Sequence, residues 1–206
     1  MAIQIFLNGK AITTEKTSVF SLQRAEGIND PVIILNGFQI QEDRDLQDGD
    51  QVFFIQKGVL PPREQLEAML SARHTPGIQQ KIRMGRVAVA GLGGLGSHIA
   101  VSLARLGVGY LRLIDDDVVE PSNLNRQHYM IQHLGQYKTE ALRAQLLEIN
   151  PFITVDIHTV RVTEENAEGL FDGCTILCEA FDSPEDVYKR QEECRFDPLF
   201  LPVFNQ

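Results

Sequence analysis

Residues 86–100 read RVAVAGLGGLGSHIA, and no other stretch limits the fold so tightly. An apolar run, RVAVA, reads as a buried strand. Gly91, Gly93, Gly94 and Gly96 make a sharp turn, and SHIAVSLARLG reads as an amphipathic helix. Glycine lets the backbone turn and lets a phosphate approach closely, and the next helix presents free N–H groups and the positive end of its dipole. Strand, glycine turn and helix in that order are the surroundings a phosphate-binding turn requires. Glycines needed only for close helix–strand packing are the plainer reading. The turn alone leaves open which compound is held: a nicotinamide dinucleotide, a flavin or ATP.

Further apolar runs follow, YLRLID, TVDIHTV and TILCEAF, separated by helical stretches such as YKTEALRAQLLEIN. Strands alternating with helices predict a parallel sheet with crossover helices, an α/β domain. Asp115 stands at the tip of the second strand, where an acidic side chain accepts ribose hydroxyls, and this fits NAD as well as ATP. The loop beyond it, DDDVVEPSNLNRQHY, gathers Asn123, Arg126 and Gln127, and Lys138 opens the next helix. Arginine grips phosphoryl oxygens as a fork, and lysine neutralises them as a point charge. Asp182, after TILCEAF, offers the hard oxygen that a divalent cation prefers. In a parallel sheet the carboxyl ends of the strands share one crevice, so these groups are expected to converge there. Each alone has a duller reading: Arg126 as a surface ion-pair partner, Lys138 as a solvated helix start, Asp182 as a helix cap. Together with the glycine turn they favour a nucleoside triphosphate. A dehydrogenase would need a second substrate half and a placed histidine, whereas His98, His128 and His133 carry no partner motif.

Residues 1–57 differ in pattern. IQIFLNGKAIT alternates around an Asn8-Gly9 turn, Thr17 or Ser18 can cap a short helix closed by Gly27, and VIILNGFQI turns at Asn36-Gly37. DLQDGDQVFFIQ adds a last strand. Strand, strand, helix, strand, strand is the order of a small α+β ubiquitin-like (β-grasp) domain. Gly58 and Pro61-Pro62 then break the chain, REQLEAML forms a short amphipathic helix, and the boundary is expected near residue 60. The division is therefore residues 1–60 and residues 61–206.

A formal net charge of −9 disfavours nucleic-acid binding, which needs a basic surface. No apolar run is long enough to span a bilayer, and MAIQIFLNGK lacks the form of a signal peptide, so a cytoplasmic protein is expected. Cys174, Cys178 and Cys194 make neither a disulfide framework nor a Cys-x-x-Cys pair and read as buried thiols.

GLGGLGS, DDDVVEPSNLNRQ, Lys138 and Asp182 together resemble the ATP-binding module of the ubiquitin-activating-enzyme-like superfamily. Within it the chain is most similar to the sulfur-carrier adenylyltransferases of thiamine biosynthesis, the ThiF family, over roughly residues 72–182. The resemblance implies a Rossmann-like nucleotide-binding domain. It implies an activity in which a carrier protein with a free C-terminal Gly-Gly attacks the α-phosphorus of ATP, giving an acyl adenylate and pyrophosphate. Carried over by position, Gly91, Gly93, Gly94 and Gly96 form the phosphate turn, with Gly94 against phosphate, and Asp115 holds ribose. Asp117, Ser122, Asn123, Leu124, Asn125, Arg126 and Gln127 line or wrap the nucleotide. Arg126 and Lys138 stabilise developing charge, and Asp182 holds Mg²⁺. The family commonly forms homodimers in which an arginine reaches the partner's ATP; the text ARHTPG offers Arg73. The alternatives within the superfamily are a non-catalytic carrier-binding or nucleotide-binding fragment that keeps the fold, and activation of a molybdopterin-type carrier.

Residues 1–57 resemble the ThiS-type carriers, yet the place of their terminal glycines reads QKGVLPP and the chain runs on. An internal glycine has no carboxylate to activate, so an accessory docking role is expected, or a purely structural one. The family's zinc-binding Cys-x-x-Cys pairs and downstream cysteine find no counterpart, so no zinc site is expected. SPEDVYKRQ departs from the family pattern, and the segment from about Glu185 is expected to be foreign to it. The sheet would then be cut short and the chain marginally stable.

Overall fold

The structure, a computed structural model, describes residues 2–74 and 77–181. The expectations for Asp182, Cys194 and the segment from Glu185 lie outside the described residues. Two compact units divide at Gln80 and Lys81.

In the first unit β1 (Ile3–Leu7) and β2 (Lys10–Thr14) form a hairpin, and α1 (Val19–Ala25) follows. Then come β3 (Val32–Leu35), β4 (Phe38–Ile40), β5 (Gln51–Ile55) and α2 (Arg63–Leu70). The sheet order is β2-β1-β5-β3-β4, with β1 and β5 parallel at its centre. Both hairpins turn on Asn-Gly pairs with positive φ, 49° and 83° at Asn8 and Gly9, and 51° and 89° at Asn36 and Gly37. Positive φ at both central residues matches the right-handed twist of the strands. Ser18 caps α1, accepting from the Ser21 N–H. Helix α1 covers one sheet face over Ile5, Val52 and Phe54. Helix α2 belongs to this unit by packing, since Ala68 and Met69 lie on Ile34 and Phe53 of the other face. The first unit therefore extends beyond the break near residue 60.

Helix α3 (Ile78–Arg83) leads into the second unit. Its strands β6 (Arg86–Ala90), β7 (Tyr110–Ile114), β8 (Thr154–His158) and β9 (Ile176–Glu179) are all parallel, in the order β8-β7-β6-β9. The chain runs outward from β6 through β7 to β8, then returns to β6's other side as β9. Helices α4 (Gly94–Leu106) and α5 (Lys138–Ile149) pack on one face, around Val87, Leu111 and Leu142. Helix α6 (Glu164–Phe171) packs on the other, around Ala90, Ile114 and Leu170. Strand β6 is covered on both faces, which is why it reads as an unbroken small apolar run rather than an alternating one. Reversal of the strand order at β6 opens a crevice at its carboxyl end. Among the described residues no helix is long and apolar enough to cross a membrane.

One polar cluster fastens α6 to the sheet. Arg112 on β7 donates from Nη1 to the carbonyls of Leu170 at 2.8 Å and Asp172 at 2.9 Å, at the helix C-terminus. Its Nε donates to Asp156 Oδ2 at 3.0 Å, and Tyr110 donates to the same oxygen at 2.7 Å. Burial raises the Asp156 carboxyl, but hydrogen bonds from Tyr110, His158 and Arg112 outweigh it and hold the group below the usual carboxylate range. A depressed acid stabilises the fold above its unfolded pKa of about 3.9, and that contribution is lost as pH falls through the lower native value. Asp156→Asn is therefore expected to lower stability at pH 7 by about 1 kcal/mol, since the carboxylate is partly exposed. Thermal melts should show the gap closing as pH falls from about 3.9, the unfolded value, through the lower native one. A gap that persists unchanged at acid pH would contradict this.

Candidate nucleotide-binding site

At the carboxyl ends of β6 and β7 lies a cavity of about 580 Å³. Gly91, Gly93, Gly94, Asp115, Asp117, Arg126, Gln127 and Lys138 line it, so these expected residues come together. Gly96, Ser122, Asn123, Leu124 and Asn125 do not form its wall.

The four glycines separate into two kinds. Gly91 has φ +87°, and a Cβ there would fall 2.7 Å from the Ala180 carbonyl oxygen. A Cβ on Gly96 would fall 1.8 Å from the Gly91 carbonyl oxygen. Those two are glycine because the backbone touches itself. Gly93 and Gly94 differ: their nearest neighbours would be 3.8 Å away, at Gln127 Nε2 and at Arg126. Protein packing does not demand glycine there, and the ground above them lies on the cavity. Helix α4 starts beside it without a side-chain cap, leaving first-turn N–H groups for a ligand or water. Ser97, fully buried, fixes the turn by donating to the Gly93 carbonyl at 2.7 Å and accepting from the His128 N–H at 3.1 Å.

Asp115 forms the second wall. It accepts from the Leu92 N–H at 2.7 Å and the Asp117 N–H at 2.8 Å, so it also clamps the glycine turn to β7. Burial pushes its carboxyl up, against the pull of those N–H groups and of Lys138. Lys138 is 5 % exposed; its Nζ lies 2.6 Å from Asp117 Oδ2 and 4.0 Å from Asp115 Oδ1. Carboxylate oxygens of Asp115, Asp116 and Asp117 gather within 4.8 Å of one another, and the Lys138 ammonium supplies a cation to two of them.

The Ser-Asn-Leu-Asn-Arg-Gln string works as a platform. Asn123 is buried; its Oδ1 accepts from the Glu120 N–H at 2.9 Å, and its carbonyl accepts from the Gln127 N–H at 2.9 Å. Leu124 packs on the main core. The Ser122 carbonyl and Asn125 Oδ1 accept from Arg126 Nη1 at 3.1 and 3.2 Å and hold the guanidinium at the cavity. Gln127 is 8 % exposed, and its Oε1 has no hydrogen-bond partner among the described residues. An unmet buried acceptor costs on the order of 1–3 kcal/mol, a cost a site tolerates where a ligand rearranges it.

Several site residues were not anticipated. Tyr129 donates to the Leu92 carbonyl at 2.9 Å. Burial first, and then the charges of Asp115 and Asp117, push its phenol far up and keep it a donor. Ile114, Val162, Ala180 and Phe181 give the cavity an apolar side, and Arg161 a further cation. The crevice rule could have found these, because Arg161 and Phe181 follow the carboxyl ends of β8 and β9. His128 and His133 both hydrogen-bond Gln145, at 3.3 and 3.5 Å. Arg73 belongs to the first unit, where it donates to Gln39 Oε1 at 3.2 Å.

Residues 65–195 match the ThiF family and residues 3–58 the ThiS-like ubiquitin family. The chain is 39 % identical over 107 residues to the adenylyltransferase and sulfurtransferase UBA4 of Saccharomyces cerevisiae, covering 52 % of this chain and 24 % of that protein. It is 36 % identical over 121 residues to the adenylyltransferase and sulfurtransferase MOCS3 of Drosophila willistoni, covering 57 % and 26 %. The chain thus spans about a quarter of the length of these relatives. Among solved structures, the E. coli tRNA N6-threonylcarbamoyladenosine dehydratase TcdA in complex with AMP superposes with TM-score 0.57 at 28 % identity, over 66 % of this chain and 59 % of that one. E. coli MccB with ATP superposes with TM-score 0.53 at 26 % identity, over 63 % and 40 %. With more than half of its length in that match, and the glycine turn, Asp115 and Arg126 gathered at one crevice, the chain belongs to the ThiF family.

Proposed function

We propose that the second unit binds ATP and adenylylates the C-terminal glycine carboxylate of a small ubiquitin-like sulfur carrier. The observation that carries this reading is the open ground above Gly93 and Gly94, faced by Arg126, Gln127 and Lys138. The triphosphate lies on the uncapped start of α4, the ribose against Asp115, and the base against Ile114, Val162 and Phe181. A carboxylate oxygen of the carrier bonds to the α-phosphorus, and the bond from that phosphorus to the pyrophosphate oxygen breaks. Arg126 and Lys138 stabilise the charge gathering on the phosphoryl oxygens, so the protein works by electrostatic positioning rather than proton transfer. The names of the UBA4 and MOCS3 relatives support adenylyl transfer. The complexes of TcdA with AMP and MccB with ATP support an adenine nucleotide. The text RHTPG and the ThiS-like unit favour a thiamine-type carrier over a molybdopterin-type one.

Mg²⁺ fits the donor chemistry: Asp182 is next in sequence to Phe181 on the cavity wall and offers a hard carboxylate. Bound there with the nucleotide, the ion would neutralise phosphate charge. The reading extends to a cytoplasmic homodimer in which Arg73 reaches the partner's phosphates.

Incubation with ATP, Mg²⁺ and carriers ending in Gly-Gly is expected to yield a carrier heavier by one adenylyl group, read by mass. Arg126→Ala should lower that rate by on the order of 10²–10³ while the thermal melt stays put. Unaltered turnover would remove Arg126 from the reaction.

The two kinds of glycine give a second test. Gly94→Ala should fold normally and weaken ATP binding by about tenfold or more, since its Cβ occupies ligand space. Gly91→Ala should lose stability instead, by roughly 1–3 kcal/mol, through its positive φ and its contact with Ala180. Full ATP affinity in Gly94→Ala, measured by calorimetry, would contradict the assignment of the phosphate ground.

A further inference from the structure

The groups that line the cavity at its phosphate ground stand on separate elements. Gly93 and Gly94 belong to the turn and the start of α4, Arg126 and Gln127 to the loop after β7, and Lys138 to α5. Two consecutive residues of α4 hold that loop. Ser97 Oγ accepts from the His128 N–H at 3.1 Å. His98 Nε2 lies 3.2 Å from the Arg126 carbonyl oxygen. A carbonyl oxygen only accepts, so this nitrogen carries the hydrogen and His98 donates. The two bonds grip the backbone on either side of Gln127, whose unmet Oε1 stands at the cavity. They also fix the backbone of Arg126, whose guanidinium is otherwise held by the exposed Ser122 carbonyl and Asn125 side chain.

Polar contacts continue behind this grip. The rings of His98 and His128 meet edge to face, with centroids 5.4 Å apart and planes at 80°. His128 Nδ1 lies 3.3 Å from Gln145 Oε1 on α5, where again only the nitrogen can donate. Gln145 Nε2 lies 3.5 Å from His133 Nδ1, which accepts from the Met130 N–H at 3.0 Å. One run of contacts therefore joins α4, the Arg126 loop and α5.

The fold alone does not account for His98. The loop is already seated in the second unit by buried Asn123 and by Leu124 on the main core. His98 is exposed, and alanine is the better helix former at such a position. An exposed hydrogen bond adds little to stability, yet this one acts on the residue whose side chain faces the phosphate ground.

We propose that His98 is a positioning residue for Arg126: by holding the Arg126 carbonyl on α4, it sets the guanidinium in register with Gly93 and Gly94. The proposal rests on the adenylyl-transfer reading and deepens it. Arg126 acts on charge that gathers during the reaction, so its placement bears on the chemical step more than on nucleotide binding.

The test compares the full-length parent with His98→Ala and His98→Gln, using ATP, Mg²⁺ and a carrier ending in Gly-Gly. In His98→Ala, kcat should fall by about tenfold or more while KM for ATP stays within about twofold and the thermal melt is unmoved. His98→Gln places an amide N–H where the ring nitrogen stood and should restore most of the rate. Added to Arg126→Ala, the His98→Ala change should cost nothing further, because both remove the same placed charge. Parent-like kcat in His98→Ala would overturn the proposal while leaving adenylyl transfer standing. So would an equal loss in the Arg126→Ala background, or a loss that His98→Gln does not relieve. A parent chain without turnover would overturn the adenylyl-transfer reading itself, and this proposal with it.

Discussion

Everything in the second unit hangs on a backbone contact. Gly96 at the start of α4 approaches the Gly91 carbonyl so closely that a single methyl group would overlap it, and Gly91 in turn lies against the Ala180 backbone. This contact lets the helix begin immediately at the end of β6 and brings β9's continuation alongside. Place any side chain at either position and the helix must move off the sheet. The phosphate ground at Gly93 and Gly94 exists because the two flanking glycines have settled where the backbone goes.

Around that turn the charges are arranged in pairs rather than left loose. Asp115 spends its carboxylate on the Leu92 and Asp117 N–H groups, so it is both a wall of the cavity and a clamp on the turn. Lys138 is buried against Asp117, which satisfies the ammonium until a more strongly charged ligand competes for it. Arg126 is held by local acceptors that are themselves solvent-exposed, a cheap arrangement to exchange for phosphoryl oxygens. Gln127 carries the unmet acceptor. Such a site is folded without its ligand yet retains groups that a ligand would satisfy better.

Much of this was legible in the chain itself. The Asn-Gly turns, the Ser18 cap, the glycine turn and the four apolar runs each have a local chemical cause, and each stands where that cause put it. Asp115, Arg126, Gln127 and Lys138, which the ThiF resemblance singles out, line one cavity. What stayed hidden depends on tertiary approach. No spacing rule reveals that Ser122 and Asn125 hold Arg126, or that Tyr129 reaches the Leu92 carbonyl. Nothing in the run YLRLID marks Arg112, because its role as anchor for α6 depends on strand register, which sets it beside Asp156. Helix α2 was visible as a helix, but its seat on Ile34 and Phe53 was not, because REQLEAML carries too weak an apolar stripe to name its partner.

The central claim is that the crevice at the end of β6 holds a nucleoside triphosphate on the turn and the Arg126 platform together. Hydrogen exchange of the full chain with and without ATP and Mg²⁺ tests this most directly. The prediction is that amides of residues 91–97 and 122–138 gain protection with ATP and that NADH at equal concentration leaves them unchanged. Protection confined to other strands, or equal protection by NADH, would contradict it.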